Sequence, residues 1–289
     1  MSGTSIQFSV GRVASIACLL EVCASKPGNV HRGADFDDLT MTDFAISAEI
    51  VGQAIDTRQS ESVGALVHAI AKSTSVIVQS NTNLGIALLL SPLAIVANND
   101  DLNSKNVRKK LKDLTAEDSK LVYEAIRIAN PAGLGQPQEM DVADEAPSDI
   151  LSAMQFSSDQ DLIARQFTNN FQQVFEEVVP LLVAGEAQFE KLTDAIVYAH
   201  ISMLARYGDS LIQRKCGSEV SKQAQDRACH VLQQLVEHKD REPYFNALAD
   251  LDFWMRSDGH QRNPGTTADL IVAGLFVAII NEEISPPYC

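Results

Sequence analysis

Two long apolar segments constrain the fold more than any other feature of the chain. Residues 84–97 and 270–280 carry almost no polar side chains, although Pro92 interrupts the first. Both are shorter than the roughly 20 residues that a helix needs to cross a bilayer. Helices that are apolar on nearly all sides lie at the centre of a protein core. The sequence therefore predicts a soluble protein with two buried central helices.

Helical periodicity continues along most of the remaining sequence. Apolar residues recur at spacings of three and four, and Thr40 with Asp43 and Thr115 with Asp118 fit helix capping boxes. Strand-like alternation and a clear linker are missing, so we expect one all-α domain over residues 1–289. A loop is expected over 131–149. The helices are expected at about 6–24, from Thr40, 61–78, 84–97, from Thr115 to 130, 159–184 with a bend at Pro180, 190–215, 218–238, 241–256 and from Thr266 onward.

The charge balance excludes some partners. The 289 residues include 23 Lys and Arg against 38 Asp and Glu, a formal net charge of -15. A chain this acidic lacks the basic face that binds nucleic acid or an anionic membrane. An anionic ligand must therefore be held by a local group of donors or by a metal ion. Five cysteines without a CxxC pair, and no apparent signal peptide, predict a cytoplasmic protein.

Unusual polar chemistry is concentrated in four loops, each next to a helix end. The first, residues 26–38, has a basic half with Lys26, His31 and Arg32, followed by an acidic half with Asp37 and Asp38. A glycine-containing turn with cationic side chains can hold phosphate oxygens, and carboxylates can hold Mg²⁺. Together they suit a metal-chelated polyphosphate. A solvated turn with a charged rim is the alternative.

The second loop lies at the start of the first apolar segment. Asn81 and Asn83 precede that helix, whose N-terminal N–H groups form an anion site. Alternatively, both asparagines are ordinary N-caps.

The third loop spans residues 207–217. Asp209 is a candidate metal ligand or base, and Arg214 a candidate phosphate ligand. Alternatively, Lys215 and Gly217 mark a helix ending.

The fourth loop precedes the second apolar segment. Thr266 and Asp269 have the spacing of a capping box. An acid at the entry of a buried helix is also a candidate metal ligand or general base, and the two roles are compatible.

Taken together, the four loops resemble the triphosphoribosyl-dephospho-CoA synthase family, over residues 21 to 270 and in the family's order. The resemblance rests on Glu21, Lys26-Pro27-Gly28-Asn29-Val30-His31, Gly33 with Asp37-Asp38, Asn81-Thr82-Asn83-x-Gly85, Asp209 with Arg214 and Gly217, and Pro264-Gly265-Thr266-Thr267-Ala268-Asp269-Leu270.

The resemblance implies an all-helical, Mg²⁺-dependent transferase that uses ATP as a substrate in cofactor biosynthesis. The ribose 2′-hydroxyl of dephospho-CoA attacks C1′ of ATP, adenine leaves, and the triphosphate stays on the transferred ribose. Asp209 is the first candidate for the catalytic base, followed by Glu21 and Asp269. The implied metal ligands are Asp37, Asp38, Asp209 and Asp269. The implied substrate-binding residues are Lys26, Gly28, Asn29, His31, Arg32, Asn81, Asn83, Arg214, Thr266 and Thr267.

The sequence departs from the family's citrate-lyase branch. That branch reads Asn-Thr-His-Lys-Gly where this chain has residues 81–85, and Gly-Gly-Ser-Ala-Asp where it has 264–269. The acceptor therefore stays open. A related nucleotide-dependent transferase in another cofactor pathway, such as one-carbon carrier biosynthesis, and a non-catalytic nucleotide-binding protein are the alternatives. A purely structural helical protein is a third, and it predicts that the four loops do not converge.

Overall fold

Helices form most of the chain that the structure describes, which confirms the predicted all-α class. The computed structural model describes residues 8–58, 62–131 and 146–288, and in these ranges the one strand is Ser257–His260. The predicted loop at 131–149 lies mostly outside the described residues. The helices are α1 Val10–Cys23, α2 Met41–Thr57, α3 Val63–Ile77, α4 Leu84–Asn99, α5 Ser104–Lys112, α6 Ala116–Ala129, α7 Ile150–Ser157, α8 Leu162–Asn169, α9 Val179–Gln188, α10 Leu192–Tyr207, α11 Ser210–Cys216, α12 Ser218–Glu237, α13 Glu242–Arg256 and α14 Gly265–Ile280.

The two apolar segments form the central helices, as predicted. Helix α14 packs against α1, α4, α9, α10 and α11, and nearly all residues of α4 from 84 to 96 are buried. Helix α4 continues through Pro92, which is itself buried. The described helices bury one connected apolar core around this pair. No described helix combines the length and apolar character that crossing a membrane requires.

Local capping explains where several helices begin. The capping boxes of Thr40 with Asp43 and of Thr115 with Asp118 are both formed, as predicted. The N–H groups at the start of a helix lack partners within it, so a side-chain oxygen at the N-cap stabilises the helix by about 1 kcal/mol.

The prediction of a single long helix over 159–184 was wrong. Asn170 and Phe171 both have φ 62°, and this left-handed backbone ends α8. A π-helical segment, Val174–Val178, then precedes α9, and the Val179 N–H donates to the Val174 carbonyl. Because Pro180 has no N–H to donate, it stands in the first turn of α9.

The helix predicted over 190–215 is also two helices. Gly208, with φ 69°, ends α10, and Asp209 caps the start of α11. A left-handed backbone is accessible to glycine at little cost, so this residue allows the break.

Candidate active site

One cavity of about 470 Å³ brings the four loops together. It is lined by Asn29 and Asp38 of the first loop and by residues 81–85 of the second. Arg214 of the third loop and Asp269 of the fourth complete its polar wall. The loops converge, which the purely structural alternative does not predict.

Glu21 supplies a buried carboxylate from the last turn of α1. It lines the cavity with 5% of its surface exposed, and its Oε1 lies 2.9 Å from the Lys26 Nζ. Burial raises the pKa of Glu21, because water no longer stabilises the charged form, and the neighbouring charge of Lys26 opposes that rise. The site thus contains a carboxylate with a raised proton affinity and its own counter-ion.

Lys26 is not among the residues that line the cavity. Its side chain is fully buried and its Nζ donates to the backbone carbonyls of Glu21 and Ala24. The Glu21 Oε1 lies 2.9 Å from the same ammonium and forms an ion pair with it. The structure does not bring Lys26 to the position where the sequence predicted a phosphate contact.

The glycine and asparagine of the first loop fasten it to the rest of the fold. The Gly28 N–H donates to Asp252, and at φ +74° an added Cβ would lie 2.7 Å from the Met255 Sδ. The Asn29 side chain donates to the Asn263 Oδ1 at 2.7 Å, and both residues line the cavity. Gly28 therefore permits close packing on α13, while Asn29 ties the first loop to the fourth.

The remaining predicted cations of the first loop lie away from the cavity. His31 lines a second cavity of about 270 Å³, and its Nδ1 accepts the Gly33 N–H. Burial and the nearby charge of Arg256 lower the pKa of His31. Arg32 is exposed to solvent. Neither His31 nor Arg32 is among the residues that line the 470 Å³ cavity.

The acids predicted to hold a metal do not form one cluster. Asp38 lines the cavity and its carboxylate lies 3.0 Å from the His260 Nδ1, whereas Asp37 is exposed and is not among the lining residues. Across the part of the chain that the structure describes, no three His, Cys, Asp or Glu side chains are grouped so that they could hold a metal ion by themselves.

The second loop presents amide side chains. The Asn81 Oδ1 accepts the Leu84 N–H at 3.2 Å, and the Asn83 side chain donates to the Thr74 hydroxyl at 2.9 Å. Asn83 makes no side-chain cap on α4. Both asparagines line the cavity, so the capping interpretation accounts for Asn81 but not for Asn83.

Asp209, the first candidate for the base, is saturated with hydrogen bonds. One oxygen accepts the N–H groups of Leu211 and Ile212, and the other accepts both the N–H and the hydroxyl of Thr267. Its side chain is buried and is not among those that line the cavity. Burial raises the pKa of Asp209, and these hydrogen bonds oppose the rise. Asp209 therefore connects the start of α11 to the start of α14 through its hydrogen bonds.

Asp269 differs from Asp209 in its position and in its hydrogen bonding. It lines the cavity, and within the described residues its carboxylate has no hydrogen bond or ion pair. Burial and the negative charges of Glu21 and Asp209 hold the pKa of Asp269 well above its ordinary range. Helix α4 passes very close, since a Cβ on Gly85 would lie 2.0 Å from the Asp269 Oδ2.

The capping box predicted for Thr266 and Asp269 was wrong. Helix α14 begins at Gly265, so both residues lie inside it, and its N-cap residue is Pro264, which makes no side-chain hydrogen bond to the helix. Thr266 lines the cavity, whereas Thr267 is fully buried and bound to Asp209.

Two cations of α11 line the same cavity as the carboxylates. The Arg214 guanidinium donates to the Asp161 carboxylate, and all three residues Asp161, Arg214 and Lys215 line the cavity. Burial lowers the pKa of Lys215. Asp161 escaped the sequence analysis because its region was predicted as a continuous helix. Its signal was local: it caps α8 by accepting two backbone N–H groups.

Comparisons with known proteins agree with this architecture. A family model described as CitG, ATP:dephospho-CoA triphosphoribosyl transferase, matches residues 7–287. A crystal structure from Archaeoglobus fulgidus, described as a proposed triphosphoribosyl-dephospho-CoA synthase, superimposes with a TM-score of 0.61 at 22% identity. The match covers 81% of this chain and 97% of the other. No curated protein sequence matches significantly.

Proposed function

The chain belongs to the ATP:dephospho-CoA triphosphoribosyl transferase family and is a transferase, and on that premise we propose that it moves the triphosphoribosyl group of ATP to the ribose 2′-hydroxyl of dephospho-CoA. One observation carries the proposal. The cavity lining combines the buried carboxylate of Glu21 and the partly buried carboxylate of Asp269 with the cations Arg214 and Lys215. The reaction needs both kinds of group, because a triphosphate must be bound beside a carbon that becomes positive.

Glu21 is the proposed general base. The hydroxyl oxygen forms a bond to C1′ as the bond from C1′ to adenine N9 breaks, and adenine leaves with that electron pair. Glu21 takes the hydroxyl proton, and adenine gains a proton from solvent. A raised pKa brings this carboxylate closer to neutral pH, where a base is most effective. Its negative charge also stabilises the positive charge that develops at C1′.

A magnesium ion bound to the triphosphate fits the residues of this cavity. Mg²⁺ is commonly held by one or two carboxylates together with substrate phosphates. Asp269 has a carboxylate without a hydrogen bond in the described chain and with negative neighbours, and Asp38 lines the same cavity. We assign these two as its ligands and leave out Asp37 and Asp209. The ion would neutralise part of the triphosphate charge.

Apolar side chains form another part of the cavity lining. Helices α6 and α7 contribute Tyr123, Ile126, Ile150 and Met154 to its wall. A nucleobase has flat apolar faces and buries them against such side chains. This part of the cavity suits adenine, with the phosphates directed toward Arg214.

Incubation of the protein with ATP and dephospho-CoA, with and without Mg²⁺, tests the proposal. We expect free adenine and an equal amount of dephospho-CoA carrying a triphosphoribosyl group, both measured by liquid chromatography and mass spectrometry. Binding of ATP without adenine release would assign the protein to another acceptor. Absence of ATP binding by folded protein, measured by calorimetry, would overturn the proposal.

A further inference from the structure

A buried ion pair joins Glu21, which lines the cavity, to Lys26, which is not among the lining residues. Lys26 has no exposed surface, and its Nζ contacts three oxygens: the Glu21 and Ala24 carbonyls and the Glu21 carboxylate at 2.9 Å. Two carbonyl oxygens and a carboxylate oxygen around one nitrogen favour the charged ammonium, which can only donate. Such a pair adds little to stability because both charges lose their hydration. Because one member of the pair, Glu21, is the proposed base, the other member is a candidate for a role in the reaction.

We propose that Lys26 is a positioning residue, which holds the Glu21 carboxylate charged and directed at the cavity and does not bind the triphosphate. The inference rests on the proposed role of Glu21. Two backbone carbonyls at the end of α1 anchor the ammonium independently of the Glu21 side chain. A cation is favoured at this end of a helix, where the carbonyl oxygens carry partial negative charge. Lys26 is thus a fixed charge against which Glu21 is oriented.

The other groups around Glu21 that the structure describes do not supply the positive charge that Lys26 supplies. Cys18 of α1 and Asp269 of α14 are electrostatically coupled to Glu21, and neither supplies a positive charge. His200 of α10 lies near Lys26, and burial together with that charge keeps its pKa well below the ordinary value, so it is neutral. The side chains that α2 and the start of α4 present to the narrow space beside Glu21 are uncharged. They include Phe44 and Ser47 of α2, Ile86 of α4 and its N-cap residue Asn83.

Paired substitutions of two lysines separate positioning from phosphate binding. Lys26→Met removes the buried charge, and Lys215→Met removes a cation on the cavity wall. For Lys26→Met we expect kcat/KM at neutral pH to fall by up to about 100-fold, the size of a general-base contribution. The acidic limb of the pH profile should move to higher pH, since Glu21 protonates more readily without its counter-ion. The Kd for ATP should stay within about twofold. Lys215→Met should weaken ATP binding and leave the limb in place.

A double variant controls for the possibility that Lys26→Met fails to fold. Glu21→Gln with Lys26→Met leaves no unpaired buried charge, and thermal unfolding reports whether it folds. If Lys26 acts through Glu21, this variant should be no less active than Glu21→Gln alone. A further loss of more than about tenfold would overturn the proposal.

Infrared spectroscopy tests the pair even if the proposed reaction fails. The difference between wild type and Glu21→Gln identifies the carboxyl band of Glu21. We expect an ionised band in the wild type at neutral pH and a protonated one in Lys26→Met. An ionised band in both would overturn the proposal, as would a large loss of ATP affinity in Lys26→Met with an unmoved pH profile. Absence of adenine release by the wild type, with the expected infrared result, would count only against the proposed reaction.

Discussion

The carboxylate of Asp209 accepts two hydrogen bonds from Thr267, one from the backbone N–H and one from the hydroxyl, each 2.8 Å long. Its other oxygen caps α11. Asp209 therefore joins the starts of α11 and α14, the helices that carry Arg214 and Asp269 to the cavity. The separation of these two groups depends on a residue that is not among those lining the cavity.

Replacing Asp209 with asparagine should damage this junction. Asparagine is still a good N-cap for α11, but its NH₂ group cannot accept both hydrogens of Thr267. Leaving buried donors unpaired costs about 1–3 kcal/mol, so the free energy of unfolding in urea should fall by that amount. Thr267→Val removes one of the same bonds and is the matched control, and the combined variant should lose less than the sum. Undiminished stability with lost activity would instead indicate that Asp209 acts chemically.

The sequence predicts which loops meet but not which side chains reach the cavity. Each loop was recognisable because it adjoins a helix end, and the two apolar helices had to lie at the centre. Whether a carboxylate is free depends on partners far along the chain: Asp209 and Thr267 are 58 residues apart. Lys26 likewise turns inward because carbonyls at the end of α1 accept its ammonium.

A single methyl group at Gly85 should disrupt the proposed metal site. The Cβ of alanine would lie 2.0 Å from the Asp269 Oδ2 and 2.7 Å from the Ile163 Cδ1, so the carboxylate must move. Because alanine is otherwise favoured over glycine in a helix by about 1 kcal/mol, any loss of stability measures the steric conflict. We expect the Mg²⁺ concentration for half-maximal activity to rise about tenfold or more, as in substitutions that disturb the support of a metal site. An unchanged Mg²⁺ requirement would remove Asp269 from the proposed ligand set.

Substitutions of Arg214 and of Asp161, which form an ion pair, should differ in their effect on ATP affinity. Arg214→Met removes a phosphate-binding cation and should weaken ATP binding by about 10- to 100-fold, since a hydrogen bond between charged groups contributes about 1.5–3 kcal/mol. Asp161→Asn keeps a side chain that can cap α8 and frees the guanidinium from its competing carboxylate. ATP affinity, measured by calorimetry, should be equal or higher in this variant. Equal losses in both variants would mean that the ion pair only shapes the wall.

Stability should fall on mild acidification because of His200. Its side chain is fully buried, and neither ring nitrogen has a hydrogen-bond partner in the described structure. Burial, then the charge of Lys26, hold the pKa of His200 well below the ordinary value of about 6.5. Below pH 6.5 the His200 side chain binds a proton in the unfolded chain but stays neutral in the folded chain. The contribution of His200 is therefore fully present above pH 6.5 and is lost as the pH falls toward the folded-state pKa, by up to about 1.4 kcal/mol per unit.

The variant His200→Leu isolates this effect, because leucine cannot bind the proton in either state. Urea unfolding of wild type and variant at several pH values should give a constant difference in unfolding free energy above pH 6.5. Below it, the wild type should lose stability relative to the variant. The exposed His230, replaced by glutamine, shows whether loss of any histidine has the same consequence. Parallel curves for wild type and His200→Leu down to pH 5 would mean that His200 accepts a proton in the folded protein, which its surroundings in this structure do not allow.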